Sequence, residues 1–273
     1  MDKVSDASYL AREQYKDLRN LKVRWKLYDY VVPKSDIYQK GFENLNLSSL
    51  EDVLEVGCGS GENVVRLRKK GHKGRVGGLD INPLLFKEAS EKVFAQPIEW
   101  YVGSADDLPF EDKSLDCVIA HFMIYHLPDI QKGLKEWKRV LRNGGRVLVS
   151  TASKDNFPKY VKFKERISQY LSCRSSPQFS ASFNLENGGA QLREVFLSVE
   201  RYVFEGELQL RTVQPYLDFL ISIRDFFEPV PVESEWKKAI SLVEDEINEE
   251  IRVNGVYRDS VKRGFFIATK KKC

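Results

Sequence analysis

The sequence predicts an α/β fold, a mostly parallel central sheet with helices on both faces, and three observations predict it. Short apolar runs alternate with amphipathic stretches between residues 53 and 151, and a βαβα rhythm of that kind makes a parallel sheet joined by right-handed crossovers. One of these runs, "LDCVIA", is apolar almost throughout, as a strand covered on both faces must be. Another, "VLEVGCGSG", turns abruptly into glycines at positions 57, 59 and 61, a turn suited to joining a buried strand to a helix.

The elements follow in order. Residues 8–31 read as a helix, with Leu10 and Tyr15 ahead of Leu18, Leu21, Trp25 and Tyr28 at three- and four-residue spacings. "DVLEVG" is a short buried strand and "SGENVVRLRKK" a helix. "RVGGLDI" is the second strand, and Pro83 opens a helix that runs to about Val93. "IEWYVG" and "LDCVIA" are the third and fourth strands. In "DIQKGLKEWKRVLRNGG" the residues Ile130, Leu134, Trp137 and Leu141 share one helix face, with Gly144 as the stop. "RVLVST" is the fifth strand. After Thr151 the rhythm breaks into a basic, aromatic stretch over 154–183. Then come a glycine-weakened helix in "LENGGAQLREVF" and a strand in "SVERYVFEGEL". Amphipathic helices follow over 212–227 and 234–252, the second with Trp236, Ile240, Val243, Ile247 and Ile251 on one face. "VKRGFFIATKK" is a closing strand.

Composition excludes several classes of protein. No segment approaches the roughly 18 continuous apolar residues of a membrane span. The charged N-terminal stretch holds no apolar signal region, so a cytoplasmic location is expected. Cys58, Cys117, Cys173 and Cys273 are scattered without a CxxC pair, and the chain has 3 histidines, which argues against a metal site or a disulfide framework. With 43 basic and 40 acidic residues, net charge implies no partner. The basic run from Arg66 to Arg75 and the terminal Lys270, Lys271 and Lys272 read as a solvated face and tail rather than a nucleic-acid patch.

The glycines at 57, 59 and 61 let a ligand and the backbone meet with no Cβ between them, and the helix behind them offers free N–H groups. Asp80 ends the second strand, where a ribose-binding acid stands in dinucleotide sites. Beyond the third strand, in "GSADDLPF", Asp106 is placed to accept from an adenine amino group while the Ala105 N–H reaches a ring nitrogen. Ile81 offers an apolar surface to the base. A dinucleotide fingerprint requires a third glycine at position 62, where this chain has Glu62. Glu55, just before the turn, would repel a pyrophosphate and suits a cationic amine. The combination fits an adenosyl group joined to an amino acid.

At these residues the chain resembles a known family. "EVGCGSG", "GLDI", "GSADDLPF", "LDCVIAHFMIYHLPD" and "WKRVLRNGGRVLVST" are similar, in order and spacing, to the successive motifs of class I S-adenosylmethionine-dependent methyltransferases. The nearest likeness is to the type 11 branch of ubiquinone/menaquinone-like small-molecule enzymes. It covers residues 50–151, and residues 184–210 and 261–269 fit more loosely. The family usually has proline where this chain has Asn143, a change expected to alter only the turn.

The resemblance implies a Rossmann-like seven-stranded sheet of order 3-2-1-4-5-7-6 with the last strand antiparallel. It implies S-adenosylmethionine as cofactor, with contacts from Glu55, Gly57, Gly59, Asp80, Ile81, Ala105, Asp106 and the Ala120 carbonyl. In this family the first helix commonly folds over the cofactor, so Arg24 is expected to meet the methionine carboxylate. Tyr15, Trp25 and Tyr28 then either face the substrate or simply pack. The whole chain reads as one domain. Residues 1–48 form a helical lid, 49–153 the cofactor core, 154–183 and 211–256 cap insertions, and 184–210 and 257–273 the end of the sheet. Phe157, Tyr160, Phe163, Phe179, Phe183, Tyr216, Phe219, Phe226 and Phe227 are then either pocket walls or the cap's own core.

The end of the fourth strand bears on the acceptor. Enzymes acting on planar amides or adenine amino groups have an N-P-P-Y type turn there, and this chain has "AHFM". Metal-binding carboxylates are also missing, which makes the expected reaction metal-independent. His121 stands where a general base for a hydroxyl or amine would, its ordinary pKa suiting the task, or it orients the cofactor. His126 is expected to pack at the start of the next helix, His72 to lie in a surface loop, and Cys58 to be a tolerated small residue. The expected activity is methyl transfer to oxygen or nitrogen of a small-molecule acceptor. An RNA or protein acceptor, favoured by residues 66–75 and the lysines of 154–164, and a nicotinamide-dependent oxidoreductase are the alternatives.

Overall fold

The structure, a computed structural model, describes residues 18–92 and 94–272. Leu10, Tyr15, Val93 and Cys273 lie outside the described residues. The first described helix, α1 (Arg19–Leu27), passes through a tight turn at Tyr28–Tyr30 into a two-residue strand, β1 (Val31–Val32). The expected helix therefore ends before Val31. Two β-branched residues ahead of Pro33 explain this, because the residue before a proline is driven to extended backbone.

A helix that the sequence reading did not anticipate follows, α2 (Ile37–Leu45). Its start is marked by Asp36, whose carboxylate accepts the Gln39 N–H at 2.9 Å. Next come β2 (Val53–Val56), α3 (Glu62–Lys69), β3 (Val76–Asp80), the one-turn α4 (Lys87–Ser90), β4 (Glu99–Val102) and β5 (Leu115–His121). Pro83 does not open α4. The Asn82 side chain accepts the Leu84 N–H at 3.1 Å, and this local turn delays the helix until Lys87.

Helix α5 (Ile130–Val140), N-capped by Asp129, ends four residues before Gly144. Leu141 is already extended and opens β6 (Leu141–Ala152). Asn143 thus sits in the irregular lead of that strand rather than in a helix-stop turn. The rest comprises α6 (Pro158–Tyr170), β7 (Arg174–Ser175), α7 (Gly188–Arg193), β8 (Ser198–Leu210), α8 (Gln214–Ile221), β9 (Phe227–Glu228), the long α9 (Glu233–Asn254) and β10 (Tyr257–Thr269).

The main sheet has the order β1-β8-β10-β6-β5-β2-β3-β4. From β4 to β6 all neighbours are parallel, while β10 runs antiparallel to both β6 and β8. This is the expected 3-2-1-4-5-7-6 arrangement with one correction: the sheet has eight strands, since β1 adds to the free edge of β8. Strands β7 and β9 pair separately.

One hydrophobic cluster joins the strands to α5 and α7, and another, under α2, packs Ile37 and Leu45 on Ile119, Leu148 and Phe265. A third holds the cap. Phe157, Phe163, Tyr216, Phe219, Phe226 and Phe227 bury one another with Trp236 and Tyr257, while Tyr160 and Phe179 pack against them and Phe183 joins the main core. Apart from Phe183, the aromatic residues considered as pocket walls are thus the cap's own core. Two amphipathic helices and α6 have apolar faces to bury, and they bury them on each other.

The basic run also has internal work. Arg66 pairs with Asp36 at 2.7 Å, Arg68 donates to the carbonyls of Pro97, His72 and Gly74, and Arg75 donates to that of Ser114. His72, expected in a surface loop, is buried with Nε2 at 2.7 Å from the Glu51 carbonyl. No described helix is long and apolar enough to cross a membrane.

Candidate active site

Beyond the carboxyl ends of β2, β3, β4 and β5 lies a cavity of about 590 Å³. The glycine turn forms its floor. Gly57, Gly59 and Gly61 all have positive φ, at 60°, 52° and 70°, which favours glycine at each. A Cβ on Gly57 would strike Met123 at 2.8 Å, whereas one on Gly59 would meet only the tip of Leu21 at 4.0 Å. The space above Gly59 is therefore open to the cavity.

Asp80 braces this turn. Its Oδ2 accepts the Gly59 N–H at 2.9 Å and its Oδ1 the Asn82 N–H at 3.0 Å. Burial pushes the Asp80 carboxyl up, and the backbone N–H groups of Asn82, Gly59 and Ile81 pull against that. Ile81 and Ala105 line the cavity beside it.

Glu55 is buried at the end of β2. Asn63 donates to its Oε1 at 3.1 Å, and Oε2 has no hydrogen-bond partner. Burial pushes this carboxyl up to about 8. A buried carboxyl that lines a cavity and has one oxygen without a partner is a place for a cation. Because the folded-state pKa is raised, its stabilisation is complete below the unfolded value and is lost as pH rises through the folded one. Glu55→Gln should remove that dependence. Urea melts of the ligand-free protein should show wild type losing up to ~4 kcal/mol relative to the variant between about pH 4.5 and 8, and no more above. A constant difference would mean that Glu55 is solvated.

The remaining predicted residues divide. Asp106 does not line the cavity; its carboxylate is taken by the Ser104 hydroxyl and by Lys132 at 3.1 Å. Ala120 is buried within β5, outside the lining. Arg24 is also elsewhere, its guanidinium 5.7 Å from the Phe179 ring centroid and 5.8 Å from that of Phe226, on the cap side of α1. The face of α1 that meets the cavity carries Leu21 and Trp25, with Tyr28 just beyond.

His121 lines the cavity, yet its environment is wrong for a base. Nδ1 lies 2.7 Å from Ser150 Oγ, and the ring is boxed edge-on by Tyr38 and Phe42. Burial first, and then the Arg66 charge, pull its pKa down to about 3. An imidazole held so far below neutrality does not take up a proton at pH 7. His126 lines the cavity while packing edge-on against Tyr125. Cys58 is buried, and burial pushes its thiol up, leaving it inert as expected.

Other lining residues were not foreseen: Tyr38 on α2, Asn63 on α3, Met123 after β5, and Arg263 on β10. Asn63 was legible as the position one turn past the glycines. Arg263 left one signal, a charge on the same strand face as Val261 and Phe265.

A family of methyltransferase domains, type 11, matches residues 54–149. Over 179 residues, 64% of this chain and 70% of the relative, the chain is 30% identical to the demethylmenaquinone methyltransferase of Staphylococcus aureus strain MRSA252. It spans 65% of the counterpart from strain JH9. Among solved structures, a Bacillus halodurans C-125 protein described as a methyltransferase superposes with a TM-score of 0.59 at 19% identity, covering 86% of this chain and 99% of that one. The Haemonchus contortus phosphoethanolamine N-methyltransferase 2, in complex with phosphomonomethylethanolamine and S-adenosylhomocysteine, gives 0.59 at 18% identity, covering 97% of this chain and 60% of that one. At such identities the two structures speak for the fold. The family match runs through the glycine turn and the strands around it, the Staphylococcus aureus relative is covered over more than two thirds of its length, and the chain belongs to the class I, type 11 family of S-adenosylmethionine-dependent methyltransferases.

Proposed function

We propose that the cavity is where a methyl group passes to an oxygen or nitrogen of a small molecule. The observation that carries this reading is the cavity's extent. It continues past Glu55, Gly59, Asp80 and Ala105 into a second half walled by Tyr28, Tyr38, His121, Phe204 and Arg263. Its 590 Å³ falls within the roughly 300–1,000 Å³ of small-molecule sites.

S-adenosylmethionine is the cofactor of the family, and the residues present fit it. The unpartnered Glu55 Oε2 suits its ammonium group, Gly59 admits its close approach, Asp80 suits its ribose hydroxyls, and Ile81 and Ala105 suit its base, while Gly57 packs against Met123. Asp106, Ala120 and Arg24 stay outside this set, for the reasons given by their positions. When bound, the cofactor supplies a methyl group already activated by its positively charged sulfur. The protein's share is then alignment and the exclusion of water. His121 contributes as a neutral wall that positions Tyr38, so the acceptor atom enters with a free lone pair and gives up any proton after the product leaves the cavity.

Family membership sets aside the nicotinamide-dependent alternative, in keeping with Glu62 in place of the third glycine. Incubation with labelled S-adenosylmethionine and pools of small metabolites, total RNA and protein should put label in the small-molecule fraction. Label retained on RNA or protein alone would overturn the small-molecule reading.

A further inference from the structure

Arg263 projects from β10 into the cavity in an unusual state. Its guanidinium stacks over the Tyr28 ring, 3.8 Å from the centroid. Among the described residues no carboxylate lies within ion-pair distance of it and no carbonyl accepts from it, although its strand neighbour Lys262 pairs with Glu205 at 2.9 Å. Stacking occupies the flat face of a guanidinium and leaves its in-plane N–H edge unused, the edge that matches a carboxylate or phosphate two bonds at a time.

A second donor stands nearby. The Tyr38 hydroxyl has no hydrogen-bond partner among the described residues, and the Arg263 charge acts on it. Its ring is held edge-on by His121 at 4.8 Å between centroids, and His121 is in turn held by Ser150. The hydroxyl is thus fixed in place without being consumed.

Position separates Arg263 from the cofactor residues, with Tyr38 between them under the charges of both Arg263 and Glu55. In the sheet, β10 lies three strand spacings from β2, which bears Glu55, a lateral distance of about 14 Å at the backbone. The cofactor residues on β2 and β3 thus stand on one side of β5 and β6, and Arg263 on the other.

We infer that Arg263, with Tyr28 beneath it and Tyr38 beside it, forms a subsite for an anionic group on the methyl acceptor, a carboxylate or a phosphate. The inference rests on the proposed small-molecule reaction and narrows its substrate class to anionic acceptors.

Calorimetric titrations with benzoate, phenyl phosphate and neutral benzamide test it, each with and without saturating S-adenosylhomocysteine. Wild type should bind one of the two anions about tenfold or more tighter than benzamide, and the better anion tells carboxylate from phosphate. Arg263→Gln should abolish the preference, and Arg263→Lys should keep part of it, while S-adenosylhomocysteine affinity stays unchanged in both. Equal binding of benzamide, no binding of either anion, or an anion preference that survives Arg263→Gln would overturn the subsite. So would a loss of S-adenosylhomocysteine affinity in a folded Arg263→Lys protein, which would put Arg263 on the cofactor. A wild-type protein that binds the anions but not S-adenosylhomocysteine would count against the methyl-transfer reading and leave the subsite standing.

Discussion

Asp80→Ala is expected to weaken S-adenosylmethionine binding by about 100-fold, roughly 3 kcal/mol. The carboxylate serves two roles at once. It accepts the Gly59 and Asn82 N–H groups, which set the shape of the turn, and on the proposed reading it accepts from the cofactor ribose. Hydrogen bonds to a charged group contribute ~1.5–3 kcal/mol each. The folded state should suffer less than binding does, because the same carboxylate is buried and its desolvation already opposes it. Asp80→Asn keeps one acceptor oxygen and should cost about tenfold. Calorimetry measures both, and unchanged affinity in the alanine variant would remove Asp80 from the site.

The second large effect separates two glycines only two positions apart. In Gly61→Ala the new methyl group would lie 2.4 Å and 2.7 Å from ring atoms of Trp100 and 3.1 Å from the Ala89 Cβ. Trp100 cannot swing aside freely, since it stacks on Phe86 with centroids 5.0 Å apart and planes 15° off parallel. Left-handed backbone adds ~1–2 kcal/mol and overpacking ~1–3 kcal/mol. A loss of ~2–5 kcal/mol in urea melts is therefore expected. Gly59→Ala meets nothing but Leu21 at 4.0 Å, so only the backbone strain of ~1–2 kcal/mol should appear in its stability. Its methyl group instead fills the open space over the turn, and cofactor affinity should collapse. If both variants lost stability and affinity in equal measure, the turn would have no separate ligand face.

What the sequence made legible has a physical pattern. The glycine turn and the alternation of parallel strands and helices depend on local chemistry and on buried apolar runs, and these were read in advance, whereas the strand order came from the family resemblance. The short β1 was not, because two valines pair with β8 only through tertiary contact. Helix α2 had a start signal in Asp36, but a nine-residue segment is easily passed over. The cap aromatics admitted two readings, since periodicity shows that a face is buried and not what it is buried against. Arg24 and Arg263 show the same limit. Nothing local distinguishes a cation that packs between Phe179 and Phe226 from one that faces a cavity across the sheet.

The lone Glu55 oxygen has a bearing on the cell as well as on the pocket. On the proposed reading, burial keeps a hydrogen on that carboxyl at neutral pH, and docking of the cofactor's ammonium group would release it to the medium. Cofactor affinity on this reading should fall as the pH drops below about 8. Loading would be coupled in this way to the acidity of the surroundings through a residue of the site itself.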